Sequence, residues 1–450
     1  MNPELRRNLW LEIGTQRLVA MPVVLVLVFA LAYLLADTVA DGWHAVAVSA
    51  AVAYGFATLL WGTHMAGDAV LGEVATRTWD WQRMSSIGPW TMTWGKLFGS
   101  TAYAWYGATI CLPIFVFASL NDPEIDTSWW LGMLLAAALL AHAVGLIWSL
   151  LLTRNQGARG QLGQRRSSAY LLLLLILLVV LPWISGPFHE LATWYGRVET
   201  GKAFALVSLV LFAGWAVVGA YRLMRIELQF RNRPWVWLGF CAFLMGYFAG
   251  FVPVGMRLFT GYAIAMLLTL VAAFTTPRDL LQLRRLGRAV EGRDLATVLQ
   301  QTPPWLASLL LAGLVGMAVL VTPTVICQGP FCIDGFALES LVVIAMLFLL
   351  RDLGILWLVS LGGRSRRPEL AAVVYLIVLY SILPGVLGAL GIDAGLALLL
   401  PRPDLAPVWG ILAAVPGPLV VGVLLWRQAR RRAGDPQPSA GGREAPGTRD

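Results

Sequence analysis

Long apolar runs alternate with short polar ones along almost the whole chain. The apolar runs cover residues 18–36, 44–66, 97–119, 129–152, 169–185 and 203–224, then 234–251, 255–275, 305–324, 337–361, 369–390 and 406–426. A lipid-facing helix needs about 20 apolar residues, because no water is at hand to satisfy its backbone. The runs are rich in Leu, Val and Ala and lack the two-residue alternation of barrel strands. They predict an all-α integral membrane protein with about twelve transmembrane helices. Ahead of the first run, residues 1–17 (MNPELRRNLWLEIGTQR) predict a short amphipathic helix along the inner membrane surface. Glu4, Arg6, Arg7 and Glu12, before a run long enough to span, speak against a cleavable leader. Behind the last run, residues 433–450 are rich in Pro, Gly and Ala and predict a disordered tail.

The runs form two sets of six, and the sets look alike. Glu4-Leu5-Arg6-Arg7-Asn8-Leu9-Trp10 precedes the first span, and Glu227-Leu228-Gln229-Phe230-Arg231-Asn232-Arg233-Pro234-Trp235 precedes the seventh. The polar segment after the second span ends Gly88-Pro89-Trp90; the one after the eighth ends Pro303-Pro304-Trp305. The expectation is a diverged parallel duplication, with halves at 1–230 and 231–432. With it, one chain can make a complete pore. Without it, a homo- or heterodimer is needed.

Composition agrees with membrane residence. Only 13% of the 450 residues are charged against 58% hydrophobic, with mean hydropathy +0.72, whereas a soluble domain carries about 25% charge. The net charge of +8 reads as the basic bias of cytoplasmic loops rather than as nucleic-acid binding. With the N-terminus inside, the inner segments hold Arg6, Arg7, Arg17, Arg77, Arg83, Lys96 and Arg154, and later Arg278, Arg284, Arg285, Arg288 and Arg293. The outer segments hold only Arg197, Lys202, Arg257 and Arg402 of the 33 basic residues. This asymmetry predicts a multi-pass protein of a bacterial cytoplasmic (inner) membrane with both termini cytoplasmic.

One polar stretch between two spans stands out: Asp68 to Lys96, DAVLGEVATRTWDWQRMSSIGPWTMTWGK. On a helical wheel of 68–84, Val70, Val74 and Trp81 share a face, with Leu71 and Met84 at its edges and Arg77 inside it. Asp68, Glu73, Thr76, Asp80 and Arg83 lie opposite. Pro89 ends the helix, and Gly95-Lys96 opens the next span. A helix tethered to a span at each end is a lever, since force applied to it moves spans two and three.

The stretch resembles the loop of the ABC-2 type permeases, the membrane subunits of a class of ATP-driven exporters. Members of that family have an interfacial N-terminal helix and six spans. The loop after span two carries an acidic residue, a Thr-containing turn, a Pro and a Gly-Lys. The matching positions are Glu73, Thr78, Pro89 and Gly95-Lys96; the family commonly has Gly-Thr at the turn, and this chain has Arg77-Thr78. The resemblance implies a cytoplasmic coupling helix that docks into a separate ATPase subunit. Glu73, Thr76, Arg77, Thr78, Trp79, Arg83, Pro89, Gly95 and Lys96 would lie at the contact, and transport would be export. The alternative is a lipid-surface helix with no partner.

Other features add little chemistry. A phosphate loop needs Gly, four residues, Gly-Lys and Ser or Thr; Leu97 follows Gly95-Lys96 and Ala203 follows Gly201-Lys202. No cofactor site is expected on this chain, and ATP would be supplied through the partner. Residues 279–301 place Leu280, Leu283, Leu286 and Val290 at helical spacing beside Arg284, Arg285, Arg288 and Arg293. They read equally as a second coupling element or an anchor on anionic membrane lipids. Cys327 and Cys332 (CQGPFC) form a candidate disulfide in an outer loop, or free thiols. Glu339, Arg351 and Asp352 are intramembrane charges, read either as a broken span lining a polar path or as a local ion pair. The four His lack metal-ligand spacing, and no metal site or catalytic constellation is expected. A non-transporting scaffold and an ion-coupled transporter are the alternatives to a permease.

Overall fold

The computed structural model describes residues 2–12, 14–36, 38–156, 191–230, 232–276, 280–322, 326–328, 331–333, 335–361, 368–401 and 406–434. The chain separates into two compact units, Met1–Arg233 and Pro234–Asp450. Among the described residues, ten helical stretches are long and apolar enough to cross a membrane. The chain is a multi-pass, largely helical membrane protein. The predicted span at 169–185 lies outside the described residues, as do residues 435–450 of the predicted tail. Residues 433–434 end the last helix.

The first unit begins with α1 (Pro3–Glu12), α2 (Thr15–Leu34) and α3 (Val39–Gly55). A π-helical turn, Phe56–Gly62, carries α3 into α4 (Thr63–Asp68). Then follow α5 (Leu71–Ala75), α6 (Trp79–Arg83), α7 (Pro89–Gly99), α8 (Ala102–Leu120) and α9 (Thr127–Gln156). An antiparallel hairpin, β1 (Leu191–Trp194) and β2 (Arg197–Thr200), leads to α10 (Gly201–Glu227). Helix α2 packs on α3, α3 on α8, and α9 on α10. Ala47, Ala50, Ala108, Ala118 and Ala138 fill one core cluster with Tyr54 and Phe115, and such small residues let membrane helices approach closely.

The π-helical turn has a local cause. His142 of α9 inserts its ring, and Nε2 donates to the Thr58 carbonyl at 2.9 Å. A Cβ on Gly62 would sit 2.1 Å from that nitrogen, so only glycine leaves room. A side chain entering the helical hydrogen-bond ladder is a recognised origin of such a bulge.

The second unit holds α11 (Trp235–Ala249), α12 (Arg257–Thr275), α13 (Leu280–Glu291), α14 (Leu295–Gln301) and α15 (Pro304–Val321). A hairpin of β3 (Ile326–Gln328) and β4 (Phe331–Ile333) precedes α16 (Gly335–Leu361). It continues with α17 (Pro368–Ile377), a π-helical turn Val378–Ile382, α18 (Leu383–Ala389), α19 (Asp393–Leu396), α20 (Pro407–Ala414) and α21 (Pro416–Gly434). Helix α11 packs on α12, α12 on α15, and α16 on α20 and α21. Helix α11 corresponds to the predicted span 234–251 but has 15 residues, about 22 Å against a hydrocarbon core of about 30 Å. Pro253 disfavours helix at the residue before it, and the helix stops at Ala249.

Each unit also has a tyrosine that clamps two helices across the same chain separation. Tyr54 donates to the Leu134 carbonyl at 3.2 Å and Tyr262 to the Val342 carbonyl at 2.8 Å, each bond spanning 80 residues.

Candidate functional site

The stretch 68–96 is an elbow of three short helices rather than one helix and a span. Its first break is at Arg77. There α5 ends with the Thr78 N–H donating to Glu73 O at 2.9 Å and the Arg77 N–H to Val74 O at 3.2 Å. That pattern is a Schellman cap, which needs a left-handed residue after the helix. Arg77 supplies it at φ 59°. The resembled family commonly has glycine at this turn, the residue that adopts such a φ without steric cost. Here arginine keeps the turn at a cost.

The break resets the helical phase. Val70 stays buried, but Trp79 now turns inward at 2% exposure while Trp81 points out at 76%. The wheel of an unbroken helix puts Trp81 inside. Val70 and Trp79 join a core cluster with Met92 and Leu97 of α7, Leu146 of α9 and Met224 of α10. The second break follows α7, where Ser100 and Thr101 hydroxyls donate to the Lys96 and Leu97 carbonyls, both at 2.6 Å. Such back-bonding often accompanies a bend; α7 and α8 are separate helices, and Gly95-Lys96 lies inside α7.

Beneath the elbow is a charged node in which Lys96 and Glu4 are buried, Glu73 is mostly covered and Arg7 is partly exposed. Lys96, 1% exposed, reaches Glu4 Oε1 of α1 at 2.7 Å and also pairs with Glu73. Arg7 of α1 holds Glu4 Oε1 at 3.1 Å and pairs with Glu73 from the other side. The Lys96 ammonium stands 5.5 Å from the centre of the Trp79 ring. Two cations and two carboxylates thus alternate, which offsets the desolvation of each. Asn8 donates to the Glu4 carbonyl and to Glu4 Oε1, each at 3.0 Å, and Asn2 donates to the Thr91 carbonyl at 2.7 Å.

Glycine makes this packing possible. A Cβ on Gly95 would lie 2.5 Å from Glu4 Cβ, and one on Gly99 2.8 Å from Asn8 Cβ. Gly95-Lys96 therefore has a local reason: the glycine admits α1 and the lysine binds it. Two further anchors hold the elbow. Ser149 Oγ of α9 accepts from the Val70 and Leu71 N–H groups at 3.1 and 3.2 Å. Glu227 at the end of α10 accepts from Trp79 Nε1 at 3.3 Å and lies 3.7 Å from Arg83.

The candidate residues therefore divide. Glu73, Trp79 and Lys96 face the interior, Gly95 contacts α1, and Pro89 starts α7 at its first position. Thr76, Arg77 and Thr78 are exposed, with Arg83 partly so. Sequence reasoning missed Glu4, Arg7, Gly99, Ser149 and Glu227. Only Glu4–Arg7, at helical i,i+3 spacing, left a local trace.

In the second unit, Arg351 Nε donates to Asp352 Oδ1 at 3.0 Å and Tyr380 OH to Asp352 Oδ2 at 2.6 Å. Arg351 also lies over the Phe348 and Tyr380 rings at 4.4 and 5.0 Å. Helix α16 is continuous through this pair, and Glu339, in the same helix, lies roughly three turns before the pair. Residues 327 and 332 are opposite each other in the β3–β4 register; the state of their thiols lies outside the described residues. Helices α13 and α14 meet at Arg293, φ 54°, in another Schellman cap, with Asp294 N–H to Ala289 O at 3.0 Å and Arg293 N–H to Val290 O at 3.1 Å. Asp294 then caps α14 by accepting from the Thr297 N–H at 3.1 Å. Those hydrogen bonds from Thr297, side chain first, hold its carboxyl below the ordinary aspartate value. No group of metal-ligating side chains occurs among the described residues. Comparison with protein-family models, curated proteins and solved structures finds no match to this chain.

Proposed function

We propose that this chain is the permease subunit of an ATP-driven exporter of the ABC-2 type, and that a separate ATPase subunit docks on the elbow from the cytoplasm. The observation that carries the reading is the charged node. Glu73 sits on the elbow, Glu4 and Arg7 on α1, and Lys96 on α7. Charges buried together resist separation. A push on the elbow therefore moves α1 and α7 with it, and through them the spans they lead into. The ATPase would touch the outward residues: Thr76, Arg77, Thr78, Asp80, Trp81 and Met84, all exposed. Glu73, Trp79 and Lys96 would transmit the movement rather than bind.

Twelve spans in two six-helix halves complete the proposal. Features in the two units recur at similar separations in the chain. They are the tyrosine clamps of Tyr54 and Tyr262, the left-handed Arg77 and Arg293, and helix starts at Pro89-Trp90 and Pro304-Trp305. Gly145-Leu146-Ile147-Trp148 and Gly354-Ile355-Leu356-Trp357 add a fourth. A duplication would account for all four.

The test is affinity purification of the tagged full chain from host membranes, with bound ATPases identified by mass spectrometry. An ABC ATPase should co-purify, and Trp81→Ala should lower its recovery about 30-fold, the effect of losing a well-seated aromatic anchor. Recovery unchanged by Trp81→Ala and Met84→Ala together would remove the elbow as the docking face. Absence of any ATPase would favour a scaffold.

A further inference from the structure

Helix α1 has two faces. Glu4 and Asn8 give the inner one, packed on Gly95 and Gly99. Pro3, Arg6, Arg7, Trp10 and Leu11 recur at i, i+3, i+4, i+7 and i+8 and give the other. They line an open concavity of about 630 Å3. Trp10 is 82% exposed there and Leu11 71%, which bulk water would not favour. The face continues in sequence into α2, where Thr15, Gln16, Val19, Ala20 and Val23 line a second open concavity of about 510 Å3. The chemistry along the chain thus runs from cations through an indole to aliphatic side chains at the start of a candidate membrane span. A phospholipid shows the complementary order from headgroup to acyl chain.

We propose that this face binds an anionic glycerophospholipid, with Arg6 and Arg7 on its phosphate, Trp10 and Leu11 at the glycerol level, and Val19 and Val23 along a chain. Arg7 is the shared residue. One Nη grips Glu4 and Glu73, while the side chain keeps 37% exposure and a guanidinium carries five N–H donors, so it can also meet a phosphate oxygen. Lipid phosphate on Arg7 would compete with Glu73 for the same guanidinium. An anionic headgroup would then loosen the elbow. That last link rests on the coupling role proposed above, whereas the lipid site does not.

The experiment uses the delipidated full chain in mild detergent, titrated with phosphatidylglycerol or phosphatidylcholine of identical acyl chains and read by native mass spectrometry. At about 1 kcal/mol per basic residue near a headgroup, phosphatidylglycerol should be retained about 25-fold more tightly. Arg6→Gln should remove about fivefold of that preference, and Trp10→Ala should weaken both lipids. Both residues lie outside the node, and an unchanged melting curve for each variant shows that the fold is kept. Glu73→Gln should keep the preference for phosphatidylglycerol. Equal retention of the two lipids, an Arg6→Gln variant with full preference, or loss of preference in Glu73→Gln would each overturn the proposal. Displacement by equimolar inorganic phosphate would make this a free-anion site and overturn it too. None of these readings involves an ATPase, so they stand or fall apart from docking.

Discussion

At the scale of single residues, the elbow depends on one strained backbone and one buried cation. Arg77 adopts φ 59°, a region that costs a residue with a Cβ roughly 1 kcal/mol relative to glycine. Arg77→Gly should therefore raise stability by about 1 kcal/mol, measured as a higher melting midpoint in detergent; no change would mean the turn is relaxed. Lys96 is the opposite case. Lys96→Met leaves Glu4 and Glu73 with only the partly exposed Arg7 as a cation, and removing one partner of a buried pair costs about 3–5 kcal/mol. Adding Glu4→Gln and Glu73→Gln should restore most of that loss, and a triple variant no better than Lys96→Met would show that packing matters more than charge. These residues were only half legible in the chain. Glu73 and Lys96 stand out in a polar passage between apolar runs, but their inward direction is set by Arg77. A 3.6-residue period carried through Arg77 points Trp81 inward, and the observed break puts Trp79 there instead. Glu4 was illegible as a partner because nothing local links it to a lysine about ninety positions on.

At the scale of elements, α1 is held by shape as much as by charge. Gly95 and Gly99 stand four apart on one face of α7 and leave no space for a methyl group against Glu4 and Asn8. Gly95→Ala and Gly99→Ala should each cost about 1–3 kcal/mol through overpacking. The double variant should cost less than the sum, since a displaced α1 no longer meets the second methyl. Gly72→Ala in α5, with nothing near its Cβ position, is the control and should be neutral or stabilising, since alanine is the better helix former; equal losses at all three positions would rule out overpacking as the cause. The long spans were readable from apolar run length alone, because lipid enforces it. Element breaks were not, because they arise from side chains answering distant groups. The π-helical turn at Phe56–Gly62 answers His142 of α9.

At the scale of the molecule, the open quantity is the number of crossings, and the basic residues provide the test. If twelve helices cross with both termini inside, the β1–β2 and β3–β4 hairpins both lie outside, and the turns at Arg77 and Arg293 both lie inside. Single cysteines in a cysteine-free background report this directly. An impermeant maleimide added to intact cells should label Val198→Cys and Gln328→Cys and leave Arg77→Cys and Arg293→Cys unlabelled until the membrane is permeabilised. Helix α11 is the point of greatest tension, since its 15 residues fall short of a full bilayer unless lipid thins around it. If α11 does not cross, every later segment changes side. Val198→Cys would still label from outside, but Arg293→Cys would label with it and Gln328→Cys would not. The outer side would then carry Arg284, Arg285, Arg288 and Arg293 together, against the inside bias of basic loops. That bias therefore favours α11 crossing in spite of its length, and the labelling of Arg293→Cys decides between the two.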